Sequence, residues 1–259
     1  MPFTQMLLFY IPTMVLGAIT VAVFIILSVG GLLLVRQFVP HQRLKVHNDV
    51  AGSIFGTLGM AYTVLLAFVV VIVWQNFDKS NLNVQREANC LADLYRDSIS
   101  FPEKFRGEAQ ALIGEYADAV INEEWNMLAR GGESPKAQEL LKRMWARYSS
   151  YEPKTENEKI FFTESVRNLN EAGELRRLRL MDSRTGIHPM LWAILLIGGV
   201  ATIGFTFFFG SENLWAQIMM ASTLAMVVGL ILFIILLLDF PFTGALSISS
   251  DAFRSIARF

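Results

Sequence analysis

Apolar residues fall in long unbroken stretches at both ends of the chain and in short spaced sets through its middle. A helix that crosses a bilayer needs roughly 20 consecutive apolar residues. Four windows reach that length: Met6 to Val35, Val50 to Trp74, Ile187 to Phe209 and Leu214 to Leu238. The first lacks a basic leader and a small-residue cleavage site, so it reads as a retained span and not a signal peptide. Residues 77–186 hold nearly all the charge. The pattern predicts an all-α integral membrane protein with four transmembrane helices. Helices one and two occupy residues 1–76, an inserted helical extramembrane domain 77–186, helices three and four 187–240, and a C-terminal tail 241–259.

The inserted domain carries helix punctuation. Ser100 with Glu103, and Thr155 with Glu158, stand at capping-box spacing. Gly131 and Gly132 stop a helix, and Ser134 with Pro135 start the next. Apolar residues recur at helical spacing between these signals: Val84, Ala88, Leu91, Tyr95 and Ile99, then Phe105, Ala109, Leu112, Tyr116 and Val120, then Leu141, Met144, Trp145 and Tyr148, then Phe162, Val166 and Leu169. Four helices are expected. The first continues out of span two, because no Gly or Pro separates Trp74 from Leu91.

Composition narrows the class. A hydrophobic fraction of 53% and a mean hydropathy of +0.43 exceed those of a soluble domain. The net charge of −1 gives no electrostatic case for nucleic acid. Cys90 stands alone and reads as inert packing, and His41, His47 and His188 are thin material for a metal site. No cofactor or metal is expected. No nucleophile with its base, phosphate-binding glycine loop or hydrolytic carboxylate pair is present, so the chain does not read as an enzyme. Glu123 and Glu124 read as a solvated helix face.

Span two is unlike the others. Asn48 or Asp49 can cap its start. Gly52, Gly56, Gly59 and Thr63 then follow at four- and three-residue spacing, with Ser53 and Thr57 beside them. Such a stripe permits close helix packing in lipid or lines a narrow pathway, and "VLLAFVVVIV" beyond it would form a hydrophobic constriction. Gly198, Gly199, Thr202 and Gly204 make a second close-packing face on span three. Pro12, Gly17, Ser28, Gly30 and Gly31 in span one read as tolerated packing defects. No full charge lies deep in any span, which argues against a proton-coupled transporter. Arg176, Arg177, Arg179 and Arg184 precede span three. They read as a juxtamembrane anchor on lipid phosphates or as a positive ring at a channel vestibule. In "LDFPFTG", Pro241 ends span four at about Asp239. The Asp239 carboxylate is then expected at the membrane interface, with Phe240 and Phe242 at headgroup level and Gly244 in a tight turn.

"HNDVAG", the glycine-rich span with Tyr62, "VWQNF", "EANCLADLYRD", "EEW", "ELRRLRL" and "LDFPFTG", in this order from about residue 45 to the end, resemble the bestrophin-like domain family of bacterial membrane proteins. The resemblance implies a distant relation to bestrophins, which are pentameric anion channels with a helical cytosolic region. Span two offers glycines where the bestrophin neck offers phenylalanines. The leading expectation is a homo-oligomeric ion channel in the lipid bilayer, with inorganic ions as its cargo and span two along the pathway. The alternative is a non-conducting sensor or scaffold whose helical domain binds a partner.

An even number of spans puts both termini and the inserted domain on one side, with Arg36, Arg43 and Lys45 on the other. Arg36, Arg43 and Lys45 beside span one argue that their loop is cytoplasmic, whereas Lys79, Arg86, the four arginines before span three, Arg254 and Arg258 argue for a cytoplasmic inserted domain in a bacterial plasma membrane, and the unpaired Cys90 inclines the expectation to the latter. On this placement an impermeant thiol reagent leaves Cys90 unlabelled in outer-membrane-permeabilised cells. Labelling there would reverse the orientation.

Overall fold

The computed structural model describes residues 2–254 and 256, and among them all regular structure is helical. The helices are α1 (Phe3–Tyr10), α2 (Thr13–Phe38), α3 (His41–Lys45), α4 (Asn48–Asp97), α5 (Glu103–Ala119), α6 (Trp125–Leu128), α7 (Pro135–Ser149), α8 (Glu156–Asp182), α9 (Pro189–Phe205), α10 (Leu214–Asp239) and α11 (Asp251–Arg254). Four of them are long and apolar enough to cross a membrane, and each overlaps one of the four windows. Arg258 and the side chains of His41 and Arg43 lie outside the described residues.

The chain forms two compact units. The apolar unit comprises Tyr10–Gln75 and Ile187–Asp239; the polar unit comprises the residues up to Phe9, Asn76–Gly186 and those from Phe240 onward. Two expectations change here. The first window is broken at Pro12, whose φ of −53° and ψ of 134° open α2 afresh, because a residue before proline is driven out of the helical region. The short α1 belongs instead with the polar unit, where the buried Gln5 amide donates to Ser183 O at 3.0 Å and Thr243 Oγ1 at 3.3 Å. The C-terminal tail is part of that unit's core too. Phe240, Phe242 and Phe253 are buried in protein and not exposed to headgroups, and Trp125 Nε1 donates to Ile248 O at 3.0 Å.

In the polar unit the four helices appear as the punctuation predicts. Ser134 Oγ accepts from Ala137 N at 3.2 Å and Thr155 Oγ1 from Glu158 N at 3.1 Å. Ser100 does not cap; it lies in a 3-10 turn, and α5 starts behind Pro102 without a side-chain cap. Leu91, Leu94, Phe105, Ile113, Tyr116, Met144, Tyr148 and Leu169 fill the core. Cys90 is buried among them, in line with an inert packing role.

In the apolar unit glycines admit aromatic rings. A Cβ on Gly198 would lie 2.6 Å from the Tyr62 ring, one on Gly31 2.5 Å from Phe207, and one on Gly17 2.8 Å from Phe233. Gly17 and Gly31 are therefore close-approach positions and not packing defects. Tyr62, on α4, donates its hydroxyl to Leu195 O on α9 at 2.9 Å. Ser28 Oγ on α2 donates to Ala221 O on α10 at 3.2 Å. Water is absent from a bilayer core, so such polar atoms find protein partners.

Gly198→Ala forces the Tyr62 ring out of its seat. A cost of about 1–3 kcal/mol is expected for such overpacking, read as a lower unfolding temperature of the purified protein in detergent. Gly30→Ala, where a Cβ meets nothing within 4 Å, should leave that temperature nearly unchanged.

Candidate functional site

Two constellations stand out, one in each unit. The first is the face of α4 that its own protomer leaves uncovered. Tyr62, Leu66, Val69 and Val73 point into the apolar unit. On the other side Gly52, Ser53, Gly56, Thr57 and Thr63 are exposed and Gly59 is half-buried. A Cβ on Gly52, Gly56 or Gly59 meets nothing within 4 Å. The stripe thus serves no packing within the protomer. Thr57 Oγ1 donates back to Ser53 O at 3.3 Å, which satisfies that hydroxyl inside the helix. The face carries no ionisable group between Val50 and Phe77. Its start is fixed by Asn48, which does not act as the expected cap. Its amide pairs both ways with the Gly210 peptide: Nδ2 donates to Gly210 O and Gly210 N donates to Oδ1, each at 2.9 Å. Asp49 lies exposed in the first turn, where a carboxylate favours the helix dipole.

The helix-end motif behaves as its sequence suggests in one respect and not in another. α10 ends at Asp239, and Gly244 takes a φ of +87° in the turn that follows. Asp239 does not sit at a wet interface, however; it is 7% exposed. Its carboxylate accepts from Ile187 N at 2.6 Å and from Trp192 Nε1 at 3.2 Å. It staples the start of α9 to the end of α10, a specific use of a buried acid that needs donors in place of water.

The second constellation is a buried charge network in the polar unit. Apolar positions along α5 run Phe105, Ala109, Leu112, Tyr116 and Val120. An uninterrupted α-helix would next turn Glu123 and Met127 inward. A π-helical turn over Val120–Glu124 adds one residue to the circuit. Glu124 and Leu128 take the inward positions instead, each 0% exposed. The solvated-face reading therefore fails for Glu124. Glu123 stays outside on Lys136 Nζ at 3.0 Å.

Glu124 is one of four charges that meet here. Arg176 Nε and Nη2 donate to its two oxygens at 3.2 and 2.6 Å, Arg179 Nη2 donates at 2.9 Å, and Ser134 N at 3.0 Å. Arg179 also makes a bidentate pair with Glu87 on α4, at 2.7 and 2.9 Å, and Tyr116 donates its hydroxyl to the same carboxylate at 2.9 Å. The Arg179 guanidinium, 0% exposed, lies over the Trp125 and Phe253 rings at 5.4 and 5.6 Å. The Trp125 and Phe253 faces are electron-rich and stabilise the cation. Two acids and two bases leave the cluster neutral. Burial alone would lift the Glu124 carboxyl, but Arg179 and Arg176 together with the Ser134 N–H hold it below the ordinary carboxylate range.

This corrects the reading of the arginines before span three. Arg176 and Arg179 are buried in ion pairs and cannot touch lipid phosphate or a vestibule. Arg177 and Arg184 remain exposed, and Arg184 Nε donates to Gly131 O at 2.8 Å. Among the described residues no cluster of His, Cys, Asp and Glu could hold a metal.

The profile of the bestrophin-like domain matches residues 22–253. No curated protein matches the sequence. The fold is similar to crystal structures of a bacterial bestrophin homolog from Klebsiella pneumoniae. One point variant gives a TM-score of 0.72 at 12% identity over 92% of this chain and 96% of that one. Another gives 0.73 at 13% identity with the same coverage. The structure phased on zinc gives 0.70 at 13% identity over 93% and 96%.

Removing one partner of a buried ion pair leaves the others uncompensated. Arg179→Met should cost about 3–5 kcal/mol of polar-unit stability, and exposed Arg177→Met less than about 0.5, by denaturant unfolding of the purified protein. A carboxylate with a folded pKa below its unfolded value, ~4.3 for Glu, stabilises the fold above that value and stops doing so as pH falls through the folded one. Stability should therefore fall with acid below about pH 4.3, and less steeply in Glu124→Gln.

Proposed function

The chain belongs to the bestrophin-like domain family, and from that premise we propose that copies of it assemble into an ion channel in a bacterial plasma membrane, with the outward face of α4 along the conducting path. The observation that carries this reading is the uncovered small-residue face itself. A Cβ on Gly52, Gly56 or Gly59 would meet no side chain or other helix of the protomer within 4 Å. In hydrocarbon a glycine stripe with Ser53, Thr57 and Thr63 gains nothing, whereas against a ring of copies it brings backbone and hydroxyl dipoles close to a central water file. Further along that face Thr63 gives way to Ala67 and Val71, both exposed in the protomer. Repeated by symmetry they form an apolar collar that closes by dewetting. The channel needs no cofactor and performs no bond chemistry.

The path carries no fixed charge of its own, so its selectivity rests on dipoles and on its mouths. Anion passage is the expectation that the relation to bestrophins supplies. Exposed Arg177 and Arg184 are the arginines left to act at a vestibule or on lipid phosphate. The polar unit is placed in the cytoplasm. Cys90 is buried, so this placement is better read from a reagent-accessible cysteine at exposed Lys142.

Purified protein in liposomes should pass ions, with the reversal potential in a KCl gradient giving the sign of the carrier. In a background of Cys90→Ala, cysteines at Gly52, Gly56 and Thr63 should react with water-soluble thiol reagents and lose flux, while one at Leu66, buried in the protomer, should stay inert. Gly56→Ala should alter flux with the oligomer unchanged. If every stripe cysteine is inert in a conducting preparation, α4 does not line the path.

A further inference from the structure

A cavity of about 750 Å³ opens in the apolar unit where the start of α4, the end of α9 and the start of α10 come together. That is ample for a small ligand or a lipid headgroup. Its two ends differ in chemistry. At the loop end stand Lys45 and Glu212, paired at 2.7 Å with side chains 59% and 73% exposed. At the span end stand Phe55, Phe209, Met220 and Leu224. Phe55 and Phe209 meet edge to face at 5.7 Å and make one wall. The cavity does not stop there. Met220 and Leu224 also line a shallow groove of about 480 Å³ that continues along α10 past Met219 and Thr223 to Val227. A polar mouth of both signs therefore opens into an apolar track that runs along a membrane span.

Gln217 adds a second observation. It lines the cavity and is 96% buried by its 4% exposure. Its Nε2 donates to Phe209 O at 2.7 Å, but its Oε1 has no hydrogen-bond partner. That oxygen is closed off from the cavity, so Gln217 serves as a fixed wall tied to the Phe209 carbonyl. The Lys45–Glu212 pair is exposed and thus weakly held. It can open around a ligand that offers a phosphate to Lys45 and an ammonium to Glu212.

We propose that this cavity is an interfacial site for one phospholipid with a primary-ammonium, ethanolamine-type headgroup. The phosphate sits on Lys45, the ammonium donates to Glu212, and one acyl chain lies in the α10 groove over Met220 and Leu224. A choline headgroup has no N–H to donate, and an anionic glycerol headgroup meets the Glu212 carboxylate with like charge. The site is independent of whether the protein conducts.

The test uses the delipidated full-length protein in detergent micelles doped with dioleoyl phosphatidylethanolamine, phosphatidylcholine or phosphatidylglycerol. Retained lipid is read by native mass spectrometry and stability by the unfolding temperature. Half-saturation should need on the order of tenfold less of the ethanolamine lipid than of the other two, the size expected for one charge-assisted hydrogen bond. Glu212→Gln should abolish that preference, and Met220→Trp should reduce retention of all three lipids by filling the groove. Equal response to the three lipids, or a preference that survives Glu212→Gln, overturns the proposal. So does a Met220→Trp protein that keeps its lipid but changes its assembled mass in light scattering, because a second copy would then be what covers this groove.

Discussion

The guanidinium of Arg179 holds the polar unit together. It is fully buried, binds Glu87 from α4 and Glu124 from the π turn, and is covered by Trp125 and Phe253. A lone cation in that position would be prohibitively costly. The cluster is tolerable only because two carboxylates, a second arginine, a tyrosine hydroxyl and a backbone N–H converge within hydrogen-bond distance. Each of those partners constrains the helix that bears it. The π turn follows from the same requirement: it is what brings the Glu124 carboxylate, and not that of Glu123, to the inside. Such networks specify one arrangement more than they add stability, since an apolar replacement of equal shape can be as stable.

The apolar unit faces the same requirement with fewer means. It has no buried ion pair among its described residues, and it joins its helices through hydroxyls on carbonyls, the Asn48–Gly210 amide pair and the Asp239 staple. Its glycines divide by what they face. Gly17, Gly31, Gly198 and Gly199 accept rings from neighbouring helices, whereas Gly52, Gly56 and Gly59 face open space. The same residue type therefore serves closure within the protomer on α2 and α9 and an unoccupied surface on α4.

Features that depend on neighbours in sequence were legible from sequence. The four spans follow from run length, the Ser134 and Thr155 caps from local spacing, and the end of α10 from Pro241. Features that depend on distant partners were not. Glu124 sits beside Glu123 in a polar stretch, and nothing local announces the extra residue of the π turn that buries one and not the other. Arg176 and Arg179 look like lipid anchors because their carboxylates lie 52 to 92 positions away. Asn48 reads as a cap because its true partner, Gly210, is 162 positions distant. Pro12 was visible, but the apolar run on both sides of it masked the break, and only Gln5 hinted that α1 belonged elsewhere.

The chain order of the charge network also sets an order of assembly. Glu87 and Glu124 are synthesised before Arg176 and Arg179, so the two acids must wait in water until α8 is nearly complete. Once residue 179 emerges, every charge of the network is available, and α9 and α10 have yet to leave the ribosome. Domains close as their sequence becomes available during synthesis, so the ion network can form before the second apolar hairpin enters the membrane. Phe253 follows the arginines in the chain and lies over a cation that is already paired. The segment around Phe253 thus acts as a seal on a core whose charges are already paired.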